Sequence, residues 1–119
     1  MQISKKKINP RIEKQIFNIF YQVVSDIKNP QEAKTFLQDI LTKTELGALA
    51  KRLAVAHYLE RGRTYDNIKK NLAVSSATIA TVQEQMGKGK GFTLALRKIH
   101  AEEWANEWAK KIGEAFKRK

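Results

Sequence analysis

Lys69 and Lys70 stand just ahead of a run of small and hydroxyl-bearing side chains, Ser75, Ser76, Ala77, Ala80 and Thr81. A lysine ammonium holds a phosphate oxygen as a point charge, and short polar or methyl side chains let a helix come close to base edges in a groove. That combination points to recognition of nucleic acid rather than to bond making. The remaining reactive side chains do not gather into a catalytic set. The carboxylates are scattered over helix surfaces and no Ser-His-Asp arrangement is suggested, so an enzyme is not expected. The chain has no cysteine, which excludes disulfides and thiolate metal sites. His57 and His100 are too far apart in sequence to suggest a local metal site, and no cofactor is expected.

The charge supports the same reading. A net charge of +11 on 119 residues gives long-range attraction for polyanions. It is concentrated at Lys5, Lys6, Lys7, Arg11 and Lys14, from Arg61 to Lys70, at Lys88 and Lys90, and at Lys117, Arg118 and Lys119. Lysine-rich surfaces also serve solubility, so the terminal runs alone would say little. Beside a groove-sized run of small residues they gain meaning.

The elements that must position those residues are two short helices joined by a tight turn, residues 64–86, read as a helix-turn-helix. Ile68 and Leu72 are one helical turn apart, Val74 can plug the corner, and Ile79 and Val82 share a face of the second helix. Ser75 and Ser76 are good N-caps for that helix. Ser75, Ser76, Ala77, Ala80, Thr81 and Glu84 are then left pointing away from the corner. The competing reading is an ordinary helical hairpin whose apolar residues only make core.

The rest of the chain reads as helix too, and an all-α protein of one domain is expected. Residues 1–8 read as a flexible basic arm. Asn9 and Pro10 open a helix with a stripe of Ile12, Ile16, Phe20, Val23 and Ile27, ending near Lys28. Asn29, Pro30 and Glu32 open a second, with Ala33, Phe36, Leu37, Ile40 and Leu41 along it. Residue by residue these stripes are expected in a core, and as a set they form more apolar surface than two helices can cover, which points to a dimer interface. A third helix starts at Thr42 and runs to Arg61, with Gly62 as its stop. Its Leu46, Leu49, Leu53, Val55, Ala56 and Leu59 project around most of its circumference, as in a central helix. Arg52 falls inside that apolar sector, where a guanidinium needs an internal acidic partner, a snorkelling stem or an anionic ligand. Residues 87–91, GKGKG, read as a flexible linker; a phosphate-binding P-loop is excluded because GxxxxGK[ST] is absent. Residues 92–119 form a last amphipathic helix with Trp104, Trp108, Ile112 and Phe116 at every fourth position, expected to dock on the first helices of the same chain or of a partner.

Residues 41–86, LTKTELGALAKRLAVAHYLERGRTYDNIKKNLAVSSATIATVQEQM, resemble the central helix and helix-turn-helix of the bacterial tryptophan repressor superfamily. The shared features are the LT…E…AL…R opening, the Arg61-Gly62 that ends the long helix, and Ala77-Thr78-Ile79. The span is closer still to Trp repressor-like proteins with RGxTY before the motif and SxATI within it. The resemblance implies a Trp repressor-like helical bundle forming an intertwined homodimer, with two motif helices in successive major grooves of double-stranded DNA. It carries DNA contact onto Lys69 for phosphate and onto Ser76, Ala77, Thr78 and Ala80 for the groove. It also implies an effector pocket in which two arginines flank the indole of bound tryptophan. The first matches Arg52. The second position is Thr81, followed by Val82 where the family has glycine. A pocket lacking that arginine loses a stacking plane and a cation, so tryptophan binding is not expected.

The expected function is a sequence-specific DNA-binding transcriptional regulator, a repressor acting by operator occupancy. The alternative is a basic interaction or RNA-binding accessory module on the same fold. No run of about eighteen apolar residues is present to span a membrane, and a basic start without an apolar stretch after it argues against a secretory signal. A cytoplasmic location is expected.

Overall fold

The computed structural model describes residues 6–117, and all the regular structure in that range is helical. The basic arm expected over residues 1–8 lies mostly outside the described residues. The chain divides into two compact units, one up to Lys43 and one from Thr44 onward.

The first unit holds α1 (Pro10–Asp26) and α2 (Pro30–Ile40). Both begin as an Asn-Pro pair dictates. Asn9 Oδ1 accepts from the Arg11 amide at 2.9 Å, and Asn29 Oδ1 accepts from the Glu32 amide at 2.9 Å, while proline fills the position whose missing N–H costs nothing. Glu32 reaches back to the Lys28 amide at 3.4 Å. Phe20 of α1 meets Phe36 of α2 with ring centroids 6.1 Å apart. The expectation that the α1 stripe makes core is overturned within the single chain. Neither helix contributes a buried residue, and Ile12, Ile16, Phe20 and Val23 are all more than 40% exposed. Two helices offer each other one stripe of cover, and α1 carries apolar side chains on more of its circumference than that.

The second unit holds α3 (Lys43–Glu60), α4 (Tyr65–Leu72), α5 (Ser76–Lys88) and α6 (Gly91–Lys117). Its core is Val55 and Ala56 of α3, Ile68 of α4, and Ile79 and Val82 of α5, with Tyr58, Leu59, Leu72, Val74, Met86 and Phe92 packed around them. Each fully buried Ile or Val contributes about 2 kcal/mol relative to an exposed one. The helix α3 is not surrounded on all sides as expected. Val55 and Ala56 near its C-terminal end are buried, whereas Leu49 is 48% and Leu53 36% exposed, because α4 and α5 pack only against its last turns. It ends where expected, at Gly62 with φ of 78°. The Arg63 amide bonds the Tyr58 carbonyl and the Gly62 amide that of Leu59, which closes the last turn, and the Arg63 guanidinium lies 4.1 Å over the Tyr58 ring.

The expected linker over residues 87–91 is shorter than the composition implied. The helix α5 continues through Gly87 to Lys88, and α6 starts at Gly91, so Gly89 and Lys90 alone break the helix. An ion pair from Lys88 to Glu84 at 2.7 Å holds the last turn of α5, and packing of Phe92 and Leu96 holds the first turns of α6.

Candidate nucleic-acid interface

The motif is built from two capped helices on one small core. Thr64 Oγ1 accepts from the Asn67 amide at 3.1 Å and starts α4. Ser75 Oγ accepts from the Thr78 amide at 3.2 Å and starts α5. Between the helices the chain turns at Ala73, which adopts the left-handed conformation with φ of 52° and ψ of 53° and bonds its amide to the Lys69 carbonyl. The Ala73 carbonyl accepts from Lys51 Nζ on α3 at 3.5 Å. A further bond joins the Tyr65 hydroxyl at the start of α4 to Gln83 Oε1 on α5. Side-chain bonds at the turn and at the open end, with Ile68, Ile79 and Val82 between them, set the crossing angle of the pair.

All five apolar residues expected at the corner, Ile68, Leu72, Val74, Ile79 and Val82, lie in or against this core. Burying Ile79 and Val82 turns the opposite side of α5 outward. Ser76, Ala77, Ala80 and Thr81 are exposed, and so are Ser75 and both Lys69 and Lys70 on α4. At 100° per residue the outward set spans about 140° of α5, enough to face one groove. Thr78 differs from its neighbours: it is half-buried, and its hydroxyl lies 3.1 Å from Ser75 Oγ. Thr81 Oγ1 donates to the Ala77 carbonyl at 2.9 Å. Sequence pattern does not foretell that Ser75, Thr78 and Thr81 use their hydroxyls locally. Glu84 lies in the middle of the outward face, and its carboxylate is paired with Lys88 on the next turn.

Arg52 is exposed in the single chain, which corrects the expectation that its guanidinium needs an internal partner or an anionic ligand. Of the two residues that flank it on the helix, Ala56 is buried and Leu59 half-buried, while Leu49 and Leu53 farther round are uncovered. A cavity of about 340 Å³ opens elsewhere in this unit, floored by Met86, Phe92 and Leu96 and edged by Glu60, Arg97 and His100. The two histidines each meet a glutamate across α3 and α6. His100 Nε2 lies 2.5 Å from Glu60 Oε1, and His57 Nε2 lies 3.6 Å from Glu103 Oε1. Arg61 approaches the same Glu103 oxygen at 4.0 Å. These pairs fix α6 to the end of α3, next to the turn that launches the motif. Among the described residues no group of three or more His, Asp or Glu side chains could hold a metal ion.

Residues 15–99 match the family model described as Trp repressor protein. The chain belongs to the Trp repressor family. Over 100 residues it is 32% identical to the uncharacterized protein YerC of Bacillus subtilis (strain 168), a match that covers 83% of this chain and 90% of YerC. Among solved structures it is similar to a TrpR-like protein from Eubacterium eligens, with a TM-score of 0.70 at 28% identity. A candidate Trp repressor from Staphylococcus aureus gives a TM-score of 0.68 at 27% identity. Both structural matches cover 77% of this chain and 96% of the other. The Trp repressor match ends within α6, and residues 100–117 extend past it as helix.

Proposed function

We propose that this Trp repressor family member acts as one domain, a homodimeric, sequence-specific DNA-binding regulator that represses by occupying its operator. The observation that carries the reading is the segregation on α5. Its apolar residues are buried against α3 and α4, while its exposed face bears Ser76, Ala77, Ala80 and Thr81 with Lys69 and Lys70 alongside. Lysines supply affinity and register, and the small face of α5 selects sequence. Because that face carries no arginine or asparagine, and Gln83 at its edge is bonded to the Tyr65 hydroxyl, selection rests on methyl contacts, bridging water and the deformability of the duplex. The exposed apolar faces of α1 and α3 supply the dimer contact in this reading, and no described helix is long and apolar enough to cross a membrane. Tryptophan is not the effector in this reading, since Thr81 stands where the family's second arginine would be and its hydroxyl already bonds a backbone carbonyl.

The test is selection of duplexes from a random pool at physiological salt, with and without tryptophan, followed by binding of the enriched site. A palindromic motif recovered equally in both conditions is the expected result. Ala77→Asp places a carboxylate on the exposed face without touching the core and abolishes binding. Lys69→Gln removes one phosphate contact and lowers the slope of log K against log salt by about 1. Failure to enrich any duplex, or affinity independent of salt, overturns the reading.

A further inference from the structure

The cavity of about 340 Å³ lies behind the motif, where the end of α3, the end of α5 and the first turns of α6 meet. Its floor is apolar: Leu96 is buried, and Met86 and Phe92 are half-buried. Three titratable side chains edge it, and their partners differ. Glu60 is engaged by His100, whose Nε2 lies 2.5 Å from its carboxylate. Arg97, on the same rim, makes no hydrogen bond or ion pair with any described residue. A guanidinium beside an apolar floor, with the rim's carboxylate bonded elsewhere, is left to bind an anion from outside the chain.

We infer that this cavity binds a small apolar carboxylate, its hydrocarbon body on Met86, Phe92 and Leu96 and its charged head on Arg97. The fork of a guanidinium matches the two oxygens of a carboxylate. A cation of the same shape gains nothing at Arg97, and Glu60 is already paired with His100. A doubly charged head such as a phosphate is disfavoured, because Glu60 stands on the same rim. The volume falls at the small end of ligand sites, which limits the body to a medium-length chain or a single ring. Neither Arg52 nor Thr81 lines the cavity, so it is separate from the effector pocket that the family resemblance implies. It is separate from the DNA-binding face as well: at 100° per residue Met86 projects about 150° from the middle of the outward set on α5. Occupancy of the cavity therefore does not depend on the function proposed above.

The test is titration of the full, nitrogen-15-labelled chain with octanoate, followed by two-dimensional NMR. Saturable binding in the millimolar range is the expected result, with amide shifts centred on Met86, Phe92, Leu96 and Arg97. Octylamine causes no shifts there, and octyl phosphate binds less tightly than octanoate. Arg97→Gln changes an exposed side chain, leaves far-UV circular dichroism as it was, and weakens octanoate binding about tenfold. Arg97→Lys keeps the charge without the fork and recovers part of that loss. Glu60→Gln acts in the opposite direction: by removing the rim's negative charge it tightens octyl phosphate more than octanoate. Equal binding of octanoate and octylamine, indifference to Arg97→Gln, or the absence of saturable shifts overturns the inference. So do shifts centred on α1 or on Trp104 and Trp108, which would assign octanoate to the exposed apolar faces instead.

Discussion

Glu84 is the residue on α5 least suited to a polyanion, and its pairing with Lys88 defines its effect. Both side chains are well exposed, so the pair is weak, yet it keeps a carboxylate from facing a phosphate alone. Glu84→Gln frees Lys88 for the backbone of the duplex and raises affinity for any sequence by about threefold, measured by fluorescence anisotropy on labelled duplexes at two salt concentrations. Specificity, read as the ratio of operator to random duplex, stays unchanged. The positions of such residues were legible beforehand because a period of 3.6 residues separates Ser76, Ala77, Ala80, Thr81 and Glu84 from Ile79 and Val82. Their hydrogen bonds were not. Whether Thr81 reaches outward or bonds the carbonyl four residues back depends on a rotamer, which residue type leaves open. Arg52 illustrates the opposite failure: its place between Ala56 and Leu59 was identified correctly, but its long side chain still reaches solvent, which helical projection alone does not reveal.

The capping residues carry the elements, and they were the most legible feature of all. Asn9, Asn29, Thr64 and Ser75 each precede a helix and each accept a backbone amide near its start. Ser75→Ala loses that acceptor at the most consequential helix start and lowers stability by about 1 kcal/mol in urea denaturation at fixed protein concentration. The turn before it was not legible, because a left-handed residue is usually glycine and this chain uses Ala73 there. Alanine in that conformation is strained, so Ala73→Gly raises stability by about 0.5 kcal/mol after the greater freedom of unfolded glycine is counted. Gly62 is the mirror case. Space is open around its missing Cβ, but its φ of 78° remains, and Gly62→Ala lowers stability by about 1 kcal/mol in the same assay. Opposite signs at two left-handed positions separate backbone strain from packing.

At the scale of the whole molecule, the chain buries a small core around the motif and leaves wide apolar faces on α1, on the first half of α3 and on the end of α6. Amphipathic period revealed those faces, but it does not say which other surface covers them, and so the expected core of α1 became exposed surface. In the proposed dimer Phe17, 49% exposed, lies in the contact, and Phe17→Asp converts dimers to monomers in light scattering while the motif keeps its helicity. The end of α6 also determines what the protein reports about itself. Trp104 and Trp108 are its two tryptophans, and both sit on the exposed stripe past the family match. Intrinsic fluorescence is therefore a private signal of that segment: emission from solvent-exposed indoles moves to the blue when the stripe is covered and stays still while the motif engages DNA. Any duplex that did change it would reveal communication between the two ends of the chain, with no label attached.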